Sequence, residues 1–229
     1  DGGLLGGLGA RALAVFGRNV QVNNTVNVYG RAGGDTAAEL KAELYGALLG
    51  LERGLRASES DRARVEAAAR KLEAATPTPA PLRSPLLNGR WALQYTTCGP
   101  ALGAGRLPLL RPSGPVTQTV DIFAMKLLNE ETYEPLPLVR FTNASAADLE
   151  ALSDTRLAVR WRGFQVGPVK LKPPPMTPSR AALQWEMRAM GVGGGATEPW
   201  LDVTHLSYDL RICRSSSGDL FVLTRDEQA

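Results

Sequence analysis

From Leu86 to Leu223 the chain runs in short stretches with apolar residues at every second position, broken by Gly, Pro, Ser and Asn. A period of two puts alternate side chains on opposite faces of an extended strand. Many short strands with turn signals between them restrict the fold to an antiparallel sandwich or barrel. Closing the sheet removes its edges and leaves an apolar interior able to take a ligand. Trp91, Leu93 and Tyr95 share one face of the run Trp91 to Thr97, and Val116, Val120 and Ile122 share one face of the run 116–122. Leu136 to Asn143, Arg156 to Val166 and Ala181 to Arg188 supply further strands. Asp202 to Arg214 reads as one strand, with Leu206, Tyr208, Leu210 and Ile212 on one face and His205, Asp209, Arg211 and Cys213 on the other. Ser215 to Asp219 is a turn, and Leu220 to Leu223 pairs back.

Ahead of this β region the texture is helical. Leu40, Leu44, Leu48, Leu51 and Leu55 fall at helical spacing within 35–56, with Asp35 or Thr36 as cap. Ser58 or Asp61 opens a second helix whose apolar face is Val65, Ala68, Ala69 and Leu72. The Pro-rich stretch after Thr76 reads as a semi-rigid extended linker. The expected organisation is an arm over 1–35, a helical hairpin over 36–76, a linker over 77–86 and a β domain over 87–225. Within the arm, Val20, Val22, Val26 and Val28 alternate across an Asn-rich centre and Tyr29 follows, the pattern of a short hairpin. A lone hairpin is marginal in water. The arm therefore packs on the main domain, pairs with a partner's sheet edge or has no fixed structure by itself.

Charge excludes some functions. Lys and Arg number 26 against 23 Asp and Glu, a net charge of +3 with no basic stripe. That argues against nucleic-acid binding and is compatible with approach to anionic lipid headgroups at a membrane periphery. No stretch reaches the ~18 uncharged apolar residues of a membrane span. Cys98 and Cys213 have no CxxC spacing or His cluster, so no metal site is expected and the two read as buried thiols or a pair joined across neighbouring strands. No catalytic residues and no cofactor are expected: His205 is the one histidine and reads as surface, and no second base or nucleophile accompanies it.

With aromatics at only 6% of the chain, each has a job. Trp91, Tyr95, Val120, Trp161, Phe164, Tyr208, Arg211 and Phe221 are the candidate lining of a barrel cavity. The alternative for the aromatics is ordinary core packing. Arg211 offers a planar fork for a headgroup, a quinone oxygen or a phosphate, or joins an ion-pair network with Asp209, Asp121 or Asp202. Arg214 reads as solvated. Leu102, Leu107, Leu109, Leu110 and Met176, in loops, either rim a barrel mouth or fold onto the core.

Leu87 to Thr97, Gln118 to Ile122 with Asn129-Glu130, and Leu201 to Arg214 with Gly218 to Leu223 resemble, in order, segments of the plastid lipid-associated protein (fibrillin, plastoglobulin) family. The helices and Pro-rich link before the first strand are similar to that family too, so the resemblance covers roughly 36–225. It implies a mainly β fold, a lipocalin-like antiparallel β-barrel behind a helical hairpin and an extended arm. It also implies a chloroplast address at plastoglobules, the thylakoid surface or the stroma. The implied work is non-enzymatic: binding or coating lipids or isoprenoids of the plastoquinone, carotenoid or galactolipid class. The segment 1–34 has no counterpart in the family, and it supports the alternative of an accessory subunit or assembly factor docked on a thylakoid or stromal complex through this arm.

Overall fold

A computed structural model describes residues 36–103, 111–136, 139–166, 169–171 and 199–227. The arm hairpin of Val20 to Tyr29, the run Ala181 to Arg188, and Leu107, Leu109, Leu110 and Met176 lie outside the described residues. The described residues, from Thr36 on, belong to one compact unit.

Helix α1 spans Ala37–Leu48 and α2 spans Glu59–Ala74. Each starts with a capping box, Thr36 with Glu39 and Ser58 with Asp61, in which each side chain satisfies the other's orphan backbone N–H. The first helix ends short of residue 56. Gly50, Glu52 and Arg53 take positive φ values (75°, 47° and 60°), and the chain turns to lay Arg53 alongside Tyr95. Gly54 is required there: a Cβ at its φ of +111° would stand 2.4 Å from the Thr96 carbonyl oxygen.

The strands are β1 Gly89–Thr96, β2 Val116–Asp121, β3 Lys126–Leu136, β4 Val139–Ala151, β5 Arg156–Val166, β6 Val169–Leu171, β7 Trp200–Leu206, β8 Leu210–Ser215 and β9 Leu220–Arg225. Every pairing between these strands is antiparallel, and the ring β1-β2-β3-β4-β5-β7-β8-β9 closes where β9 meets β1. The short β6 folds back on β5. The fold is thus an eight-stranded antiparallel barrel with two helices ahead of it, as a lipocalin-like barrel requires.

The barrel has two cores. Trp91, Leu93, Val120, Leu127, Leu149, Leu157, Val203, Leu206, Cys213 and Leu223 pack together inside it. On its outside, Leu210, Ile212, Leu220, Val222 and Tyr95 pack under Leu40, Leu44, Val65, Ala68, Ala69 and Leu72 of the helices. Strand β8 is therefore buried on both faces, and the pattern Leu-Arg-Ile-Cys does not mark a wet side.

Several expected positions move, each for a local reason. Between Leu93 and Tyr95 the register with β9 slips by one residue. This bulge at Gln94 turns Tyr95 out of the barrel and under the helices, so it does not line the interior. The stretch 202–214 is not one strand but β7 and β8 joined by a turn at 207–209, and Tyr208 lies in that turn, 62% exposed. The Pro-rich stretch is not extended: it forms single-turn 3-10 helices at Pro81–Arg83 and Pro85–Leu87, with Pro81 and Leu87 buried. The expected strand 136–143 straddles the connection of two longer ones, β3 and β4.

Candidate ligand cavity

Trp91 is a fully buried member of the inner core, at the start of β1. Its indole N–H donates to the Leu87 carbonyl at 3.0 Å. Two guanidiniums lie against the ring, Arg225 at 4.3 Å and Arg211 at 5.0 Å from its centroid. Arg225 also donates to the carbonyls of Tyr208 (2.5 Å), Asn88 (2.9 Å) and Leu86. It thereby ties together the 3-10 turn at Pro85–Leu87, the start of β1 and the β7–β8 turn.

Arg211 is 1% exposed. Among the described residues no carboxylate pairs with it: Asp209 pairs with Lys41 and Asp202 with Arg156. Its Nη2 donates to Gln118 Oε1, and its Nε has no partner. Burial, the largest cause, pushes its pKa below the ordinary arginine value. Gln118 Nε2 in turn donates to Asn129 Oδ1 at 3.0 Å.

Next to these amides is a cavity of about 120 Å³ to which all eight barrel strands contribute. Its apolar walls are Leu93, Leu127, Val159, Trp161, Trp200, Phe221 and Leu223, with Ala101 from the segment after β1. Its polar points are Thr117, Gln118, Asn129, Glu131, Ser145 and Ser215. Tyr133 donates its hydroxyl to Glu131, and Arg156 lies 3.9 Å from the Trp200 ring centroid while gripping Asp202 at 2.9 and 2.6 Å. Cys213 lines the cavity as a free thiol, and burial pushes its pKa up to about 11, as it does for free Cys98, so neither is a nucleophile near neutral pH.

Of the residues expected from sequence, Trp161 and Phe221 line this cavity, Trp91 and Val120 pack in the inner core, and Arg211 lies against the Trp91 ring. Phe164 pairs with Ser145 across β4 and β5, and its side chain lies outside the described residues. Tyr95 and Tyr208 are elsewhere, as described above. Trp200, Gln118 and Asn129 were not anticipated. A signal existed for Gln118, which shares the parity of Val116 and Val120 and therefore their face.

The PAP_fibrillin family model matches residues 38–224, which takes in both helices and all barrel strands. The chain belongs to the PAP_fibrillin family. It is 32% identical over 220 residues to "Plastoglobulin-1, chloroplastic" of Pisum sativum, covering 82% of this chain and 61% of that protein. It is 32% identical over 192 residues to "Probable plastid-lipid-associated protein 5, chloroplastic" of Arabidopsis thaliana, covering 83% and 71%. It is 27% identical over 222 residues to "Chromoplast-specific carotenoid-associated protein C1, chromoplastic" of an Oncidium hybrid cultivar, covering 82% and 69%. The chain thus spans about three fifths of the length of the pea relative. No solved structure matches it. Its fibrillin relatives are proteins of chloroplasts and chromoplasts, and the chloroplast is the compartment of this chain.

Proposed function

We propose that this fibrillin is a non-enzymatic plastid lipid-associated protein whose barrel holds the end of a lipid or isoprenoid molecule. The observation that carries the reading is the cavity, walled by Trp161, Trp200, Phe221 and aliphatic side chains. Apolar surface brought into such a site leaves water, worth ~25 cal/mol per Å². The names of relatives point the same way, since they speak of plastid lipid and carotenoid association. Size limits what enters. An engineered cavity near 150 Å³ in another protein takes a benzene ring, so about 120 Å³ suits a ring or a short branched segment, not a whole carotenoid or galactolipid. The rest of a long molecule stays outside, in a plastoglobule or thylakoid lipid phase.

Solvent extraction of the purified protein followed by mass spectrometry tests this. A stoichiometric prenyl or acyl lipid is expected. Ser145→Phe, which places a ring in the cavity, is expected to remove at least about nine-tenths of it, a tenfold loss being ~1.4 kcal/mol. Equal lipid in both proteins would locate the lipid outside the barrel and end the proposal.

A further inference from the structure

We infer that the cavity selects its lipid by a neutral carbonyl oxygen, which accepts a hydrogen bond from the Asn129 amide. This rests on the lipid-holding reading and specifies the chemistry of the bound end. The argument starts from Arg211, whose guanidinium can only donate. Its Nη2 meets the Gln118 amide, so that amide must turn its oxygen toward Arg211. Gln118 then presents its NH₂ to Asn129, 3.0 Å away, and Asn129 must answer with its own oxygen. Flipping either amide would set donor against donor. The Asn129 NH₂ is what remains. It makes no other hydrogen bond among the described residues, and Asn129 lines the cavity.

A buried cation thus fixes the polarity of two amides in series, and the series ends in an N–H donor at the cavity, beside Ser145 on the paired strand. Chains of this kind polarise each other. A hydrocarbon filling the cavity leaves that donor unpaired, whereas a ligand acceptor oxygen satisfies it. A carboxylate head would carry a full charge in among Leu93, Leu127, Val159 and Phe221, which costs far more than burying a neutral oxygen. The matching end is a quinone, ketone or ester oxygen.

The test compares decyl-1,4-benzoquinone with decylbenzene, the same chain on a ring with and without carbonyls, using calorimetric titration of the whole protein. The quinone should bind about tenfold more tightly, the range expected when a buried donor is otherwise left unpaired. Asn129→Asp keeps the shape and the bond from Gln118 but shows the cavity an acceptor. It should bring the preference to within about twofold by removing that donor. Gln118→Glu gives Arg211 a carboxylate and turns the Asn129 amide round. It should erase the preference in the same way, and it keeps the test sound if the first variant folds poorly. Equal wild-type affinities, a preference that survives both substitutions, or decanoate outbinding the quinone would each overturn the inference. Binding of neither ring compound would instead bring down the lipid-holding reading.

Discussion

His205 shows how one buried imidazole couples this fold to pH. It is 3% exposed, on the helix-facing side of β7, and its Nδ1 lies 2.8 Å from the Leu72 carbonyl near the end of α2. A carbonyl can only accept, so Nδ1 carries the hydrogen, and Nε2 is buried without a partner among the described residues. Burial is the main cause that holds its pKa below the usual histidine value, against an opposing effect of the Leu72 carbonyl. The unfolded chain takes up this proton near the ordinary pKa of ~6.5, and the folded chain only at lower pH. Stability is therefore retained above ~6.5 and lost as pH falls from there toward the folded value. His205→Gln keeps an N–H for Leu72 and removes the titration. Urea midpoints between pH 8 and pH 5.5 should fall for the wild type and stay nearly level for the variant. Parallel slopes would show that other groups set the acid response.

Among elements, α2 is fastened to the barrel by charge as well as by its apolar face. Arg214 of β8 donates to Glu73 (2.8 and 3.0 Å) and Glu66 (3.0 and 3.3 Å), residues two helical turns apart on one face. It is not solvated as the sequence pattern suggested: its side chain is 25% exposed. Thr204 adds a hydroxyl to Glu73 at 2.6 Å. Arg214→Ala leaves two partly buried carboxylates facing each other. The expected loss is about 1–2 kcal/mol, between the value of an exposed pair and that of a fully buried one. Arg214→Lys should recover only part, because a point charge cannot grip both carboxylates as a planar fork does; denaturant titration reads both. The helices were legible because their signals are local: Ser58 with Asp61, and Val65, Ala68, Ala69 and Leu72 at helical spacing. Strand faces were legible only up to a bulge. Leu93 and Tyr95 share parity in the sequence, yet an extra Gln94 sends them to opposite faces, and Thr204 does the same between Val203 and His205. Strand β3 carries no apolar period, because its inward positions put Asn129 and Glu131 between Leu127 and Tyr133. Arg211 was recognised as a candidate for a ligand oxygen, but its burial depends on Trp91 and Gln118, brought beside it only by barrel closure.

At the scale of the molecule, the helices and barrel share one outer core, and for that reason they are expected to unfold together. Leu210, Ile212, Leu220 and Val222 point away from the barrel interior and would meet water without α1 and α2. At roughly 1.5–3 kcal/mol for each such side chain, their exposure approaches the whole stability of an ordinary domain. A chain beginning at residue 77 is therefore expected to aggregate or remain unfolded, although it retains every strand. The full chain allows a direct check, because its Trp residues (91, 161, 185 and 200) all lie after the helices. Tryptophan fluorescence then follows the β region, while circular dichroism at the helical band follows α1 and α2. Thermal melts by the two probes should share one midpoint, as two-state unfolding demands. If the helical signal melted several degrees before the fluorescence, the hairpin would be a detachable cover, and Leu210, Ile212, Leu220 and Val222 would become a surface able to meet lipid or a partner once it lifted.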